Sequence, residues 1–286
     1  MLPRTSPADV RGPVAAGIPS PETMAALQRR VLAWHAQNRR DLPWRRTTDP
    51  YAILVSEIML QQTQVSRVVP KYEEWLALLP TLEALASKSL EDVLKLWRGL
   101  GYNNRARRLR ECALAACAAG DAGASLPRDA AGLRALPGIG PYTARAVLVF
   151  AHNDDLAAVD ANVRRVLTHE LGLPHDLTER EMQAVADAAL PRGQSRDWHN
   201  ALMDYGALVL TARATGIAAR TRQSAFEGSR RWYRSRLLSL LLDAGAQPLP
   251  LLAESLGTTE AETTKLVELL ERDGLVRRDG ASVGVA

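Results

Sequence analysis

The sequence predicts an all-α chain that ends in a small α+β domain. Three observations carry this. From Pro21 to about residue 226, apolar residues recur at helical spacing between Pro and Gly breaks, and no run alternates with period two. Three more helical runs then follow from about residue 228: RRWYRSRLLSLLLDAG, PLPLLAESLG and TTEAETTKLVELLERDG. The chain closes on LVRRDGASVGVA, where Asp279-Gly280 reads as the turn of a hairpin. Three helices and a terminal hairpin make the pattern of a winged helix, predicted over 228–286.

Each earlier element has its own signal. Residues 1–20 contain Pro3, Pro7, Pro13 and Pro19 and read as a disordered tail. Ser20 can cap a first helix, and Pro21 suits its first turn. The runs AILVSEIMLQQTQVSRVVPKYEEWLALL, LEDVLKLWRGL, RARRLRECALAACAAG and YTARAVLVFA follow as successive helices.

Composition narrows the class. With 36 cationic and 32 acidic residues the net charge is +4 and the pI about 9.3, so the surface favours polyanions. Only Lys71, Lys88, Lys95 and Lys265 are lysines. A GC-rich genome accounts for such a bias, and arginine is also the better phosphate ligand. Cys112 and Cys117 are five residues apart, poorly placed for one helix face, and read as small buried fillers rather than a disulfide or a metal pair. No apolar run reaches membrane-spanning length and the N-terminus lacks a signal-peptide pattern, so the expectation is a cytoplasmic protein.

Three motifs carry chemistry. In LPGIGPYTARAV, Gly138 and Gly140 make a tight turn before a helix that opens at Tyr142. Backbone amides at such a helix start form an anion site suited to a DNA phosphate, although the same pattern fits an ordinary helical corner. In AVDANV, Asp160 precedes a helical run with Asn162 two residues on; alone, Asp160 reads equally as a helix cap. In DPYAILVSEIMLQQTQV, Glu57 sits in a helix that is apolar nearly all round, sharing a face with Ile53, Leu54, Leu60 and Gln61. Such a setting favours the protonated acid and a raised pKa, unless the residue is simply paired.

Together these segments resemble the helix-hairpin-helix DNA glycosylases. LPGIGPYTA matches the hairpin and AVDANV the aspartate segment, while SEIMLQQTQV and GLGYNNRAR resemble the adenine-specific, MutY-type branch. The resemblance runs from about Asp41 to Val209. It implies a two-lobe glycosylase core over 21–226, with a six-helix lobe over about 51–158 and a second helical lobe from 21–50 with 159–226. It implies that Glu57 protonates the adenine leaving group, Asp160 stabilises the sugar cation, and Asn162 orients the acid or the water. Gln62 would wedge into the space left by a flipped adenine, and Tyr102 would intercalate beside the opposite base. Gln61, Gly138, Gly140, Arg105 and Arg107 complete the implied DNA-contacting set. Tyr142 stands where the endonuclease III branch has a Schiff-base lysine, so no lyase activity is expected; thymine mismatch glycosylases share this tyrosine.

The sequence departs from the family in three places. Most members bind a four-iron cluster through C-x6-C-x2-C-x5-C; here Leu210, Ile217, Arg220 and Phe226 hold those positions, so no cofactor or metal is expected. Leu210, Ile217 and Phe226 could supply a small apolar core instead, and Arg213, Arg220 and Arg222 read equally as phosphate contacts or as a solvated surface. The winged-helix segment takes the place of a Nudix-like domain; it reads either as a DNA contact through Arg230, Arg231, Arg234 and Arg236 or as a docking module. Asn103 replaces a second tyrosine, which thins the aromatic surface, while the five arginines of RGLGYNNRARRLR keep an electrostatic footprint.

The implied partner is double-stranded DNA with a mispair or lesion, met by a monomer with no membrane contact. Three readings follow: excision of adenine opposite 8-oxoguanine or guanine; excision of thymine or uracil opposite guanine on the same fold; and a non-catalytic DNA-binding protein. Glu57 within SEIMLQQTQV favours the first, and Tyr142 with the missing Nudix-like domain the second. Glu57, Asp160 and Asn162 together count against the third.

Overall fold

The computed structural model describes residues 19–119, 124–217 and 225–286. The tail expectation lies outside them except at residues 19 and 20, as do Arg220 and Arg222. The chain divides into two compact units, Met1–Arg39 with Asp155–Ala218 and Arg40–Asp154 with Ala219–Ala286. No helix among the described residues is long and apolar enough to cross a membrane.

Helix α1 (Pro21–Asn38) begins where serine and proline predicted, with Ser20 Oγ accepting from the Thr23 amide at 3.2 Å. After a 3-10 turn at Pro43–Arg45 comes α2 (Pro50–Leu60). Both Asp49 carboxylate oxygens cap α2, accepting from the Tyr51 and Ala52 amides at 3.1 Å. Every residue from Tyr51 to Met59 is buried, so α2 is the central helix of its unit. It is pinned by the Tyr51 hydroxyl, which donates to the Leu79 carbonyl at 2.9 Å and accepts from Trp75 Nε1 at 3.1 Å.

The predicted run 52–79 is not one helix. It breaks at Gln61–Gln64, where Gln62 has φ 60°, before α3 (Val65–Leu78) begins. Neither Pro nor Gly makes this break. Arg105 makes it, by donating through Nη1 to the Ile58, Met59 and Gln61 carbonyls at 2.6–2.9 Å and so satisfying the end of α2 from outside.

The unit continues through α4 (Leu82–Ala86), α5 (Leu90–Leu96), α6 (Asn104–Ala119), α7 (Ala130–Ala135) and α8 (Pro141–Val147). A π-helical turn at Leu148–His152 ends this segment, with Asn153 at φ 56° as its left-handed cap.

The other unit packs α1 with α9 (Ala161–Glu170), α10 (Glu179–Ala188), α11 (Ser195–Leu208) and α12 (Ala212–Thr215). Its core joins Met24, Leu27 and Val31 to Val163, Leu167, Met182, Trp198 and Leu202. Thr178 and Glu181 close a reciprocal capping box on α10.

The C-terminal segment, grouped with Arg40–Asp154, has α13 (Arg230–Ala244), β1 (Gln247–Pro248), α14 (Leu249–Leu256), α15 (Glu260–Arg272), β2 (Val276–Asp279) and β3 (Ser282–Val285). The sheet order is β1-β3-β2, all antiparallel. The hairpin loop is Gly280-Ala281 rather than Asp279-Gly280, because Asp279 pairs with Ser282 as the last ladder residue and Gly280 takes the positive φ of 59°. The two-residue strand β1 was invisible to periodicity because it is too short to alternate.

Candidate active site

Glu57 is the eighth residue of α2, and is only 7% exposed among the buried apolar residues Ile53, Leu54 and Ile58. Gln61 and Gln62 leave the same helix end, Gln62 exposed and in the left-handed region. The Gln61 carbonyl is held by Arg105. Gln61 also lines a shallow cavity with Arg105, Arg108, Pro137, Gly138 and Ile139, which brings the α2 end and the Gly-rich turn together.

Arg105, placed by the sequence among the DNA contacts, has its guanidinium turned inward. Besides the α2 carbonyls, Nη2 donates to Thr63 Oγ1 and to the Leu100 and Gly101 carbonyls at 3.0–3.1 Å, and burial lowers its pKa to about 10. It is a clamp on two loops. Arg107 is likewise engaged, with Asn104 and Glu111. Tyr102 projects from the clamped loop, 41% exposed.

The Gly-rich turn joins α7 to α8. Gly138 needs its glycine: φ is 81°, and a Cβ would meet Arg108 Cβ at 2.8 Å. Gly140 differs, with φ −87° and open space where a Cβ would point, so a backbone can approach it closely. Tyr142 is the second residue of α8 and is half-buried.

Asp160 caps α9: Oδ1 accepts from the Val163 amide at 2.7 Å, and Oδ2 from Asn162 Nδ2 at 3.0 Å. Asn162 in turn accepts from Arg165, whose guanidinium also donates to the Gly206 carbonyl at 2.7 Å and the Leu210 carbonyl at 2.5 Å. Arg165 thus fixes which end of the Asn162 amide faces the carboxylate. Desolvation raises the Asp160 pKa despite the donors from Val163 and Asn162 and the charge of Arg165. Gly206 lets α11 come this close, since a Cβ there would meet Asn162 Cβ at 2.9 Å. Beneath the segment, the Ala158 amide donates to His199 Nε2 at 2.9 Å.

Sequence reasoning missed Arg165 and His199. Arg165 had a weak local signal, three residues beyond Asn162 on one helix face. His199 had none, because its partner lies 41 residues away.

Leu210 is 9% exposed and belongs to the core around Trp198, and Ile217 is half-buried. Phe226, in the other unit, is 54% exposed with Arg231 at 6.0 Å from its ring. Several arginines expected at DNA also have protein partners: Arg231 with Tyr102, Arg234 with Asp273, and Arg236 stacked 4.6 Å from the Trp232 ring. Arg213, Arg108 and Arg230 are exposed.

The family of HhH-GPD superfamily base excision DNA repair proteins matches residues 55–191. The adenine DNA glycosylase of Mycolicibacterium smegmatis is 40% identical over 236 residues, covering 75% of this chain and 80% of that protein. The adenine DNA glycosylase of Mycobacterium tuberculosis is 37% identical over 279 residues, covering 87% and 89%. Among solved structures, a thermostable thymine-DNA glycosylase is similar with a TM-score of 0.62 and 30% identity, over 68% of this chain and 90% of that one.

Proposed function

The chain belongs to the helix-hairpin-helix base excision DNA repair superfamily and, within it, to the adenine DNA glycosylases, and from that membership we propose a monofunctional hydrolysis that removes adenine opposite 8-oxoguanine or guanine. The observation that carries the reading is Glu57, a carboxyl group buried in an apolar helix, for which a DNA-binding protein without chemistry has no use.

In this reading the flipped adenine takes its proton from Glu57, which makes the base a neutral leaving group. Departure of the base leaves positive charge on the sugar. Asp160 lies ionised beside that charge, and Asn162, oriented by Arg165, holds the carboxylate in place. Water then adds to the anomeric carbon and the proton passes back to a carboxylate. Tyr142 offers a phenol where a lyase needs an amine, so the product is an intact abasic strand.

The amides of the Gly138–Gly140 turn and the opening of α8 hold a backbone phosphate. Gln62 fills the space of the flipped base, and Tyr102 enters beside the opposite base. The helices α13–α15 with the β2–β3 hairpin form a winged-helix module, and the working unit is one chain on one duplex.

Single-turnover excision followed by alkali, on duplexes with A opposite 8-oxoguanine, A opposite G, T opposite G and U opposite G, tests this. Adenine alone should be released, with no strand cut before alkali and no adduct trapped by borohydride. Asp160→Asn should keep duplex binding and lower excision by about a thousandfold or more. Release of thymine or uracil instead would favour the second reading, which the thymine-DNA glycosylase similarity and Tyr142 support.

A further inference from the structure

The C-terminal module meets the RGLGYNNRAR loop at three points. Arg98 donates to Asp243 of α13 at 2.6 Å. Arg107 lies against Gly274, the residue between α15 and β2, with its Cδ 3.3 Å from where a Cβ would stand. The third point involves Tyr102. Arg231, in the first turn of α13, donates through Nη1 to the Tyr102 hydroxyl at 2.8 Å, and its guanidinium carbon lies 5.8 Å from the ring centre.

Tyr102 is held in two different ways. Its φ of 48° is a left-handed backbone that a bulky residue keeps only where the surroundings impose it. Arg105 imposes it, by binding the Leu100 and Gly101 carbonyls and lying 5.6 Å from the same ring. The ring itself is 41% exposed, and an exposed side chain changes rotamer freely unless something grips its tip. Arg231 grips it, since a planar guanidinium can lie over the ring and donate to the hydroxyl together.

We propose that Arg231 is a positioning residue for Tyr102, so that the C-terminal module takes part in choosing the base opposite the excised adenine. The inference rests on the reading of Tyr102 as the side chain that enters beside that base. Ordering the ring before binding removes its ordering cost from the encounter with DNA. A ring held at one angle also separates opposite bases more sharply than a mobile ring.

The test is single-turnover excision by the full chain on adenine opposite 8-oxoguanine, guanine and cytosine, read as ratios of rates. Arg231→Ala should lower the preference for 8-oxoguanine over cytosine about fivefold, the size of one hydrogen bond of this kind. Tyr102→Phe, which keeps the ring and removes the acceptor, should do the same. The double variant should lose no more than the larger single loss, because both remove one contact. Should Arg231→Ala fail to fold, Tyr102→Phe carries the test alone. A collapse of the ratios in Tyr102→Ala with none in Arg231→Ala and Tyr102→Phe overturns the brace and leaves the Tyr102 reading standing. Unchanged ratios in Tyr102→Ala overturn both.

Discussion

Asp160 uses its two carboxylate oxygens for different tasks. Oδ1 caps α9 through the Val163 amide, while Oδ2 is held by Asn162 Nδ2. The cap was legible in AVDANV; the hydrogen bond from Asn162 to the carboxylate and the orienting Arg165 were not. The raised pKa has a definite consequence for rate. In the proposed reaction the carboxylate must be ionised to face a cationic sugar, so excision should fall off on the acid side at a pH above the ordinary aspartate range. Asn162 lowers that pKa by donating to the charged form. Asn162→Ala should therefore move the acid limb to still higher pH, and slow excision by roughly tenfold or more at neutral pH through loss of position. A pH profile of single-turnover rates checks this. An acid limb that stays in place would mean that Asn162 does not act through Asp160.

The segment leading to Asp160 is tied to α11 through His199. Its Nε2 accepts from the Ala158 amide, so the proton of the neutral ring sits on Nδ1, which faces the Ser195 carbonyl at 2.7 Å. Burial lowers the His199 pKa against the smaller raising effects of Ser195 and Asp187. A histidine depressed in the fold takes up its proton more readily when unfolded. The stability it contributes is thus complete above the unfolded pKa of about 6.5 and is lost as pH falls below it. Urea midpoints measured from pH 8 to pH 5 should fall on the acid side. His199→Phe should flatten that fall while costing about 1–3 kcal/mol at pH 8 for the amide it leaves unpaired. An unchanged slope would place the acid sensitivity elsewhere. Elements were legible where their signals were local: Ser20-Pro21 for α1 and the Gly280 hairpin to within one residue. Where a distant side chain decides, as Arg105 does at the end of α2 and His199 does below Asp160, periodicity held no trace of it.

Across the whole molecule, charge and apolar residues are both spent differently from their placement in the sequence. The arginine-rich loop reads as a basic patch, yet Arg98, Arg105, Arg107 and Arg110 are engaged with Asp243, main-chain carbonyls, Glu111 and the Lys88 carbonyl. These contacts occupy the guanidinium groups within the protein, which is why net charge overstates what faces DNA. The same holds for the positions at which the family resemblance leads one to expect cluster cysteines. Leu210, Ile217 and Phe226 suggest one apolar replacement when read in a row; Leu210 belongs to the core built on Trp198, Leu202 and Val166, while Phe226 is 54% exposed. Leu210 stands at that core's edge, and its carbonyl also accepts from Arg165. Leu210→Ala should therefore cost about 2–3 kcal/mol and weaken excision as well, because the Arg165 anchor moves with the chain. Phe226→Ala removes an exposed ring and should cost no more than about 0.5 kcal/mol. Urea unfolding followed by tryptophan fluorescence separates the two. A Phe226→Ala loss as large as that of Leu210→Ala would mean that these side chains do stabilise one another, and that stability without a cluster comes from a shared apolar core rather than from the Trp198 core and the Arg165 contacts.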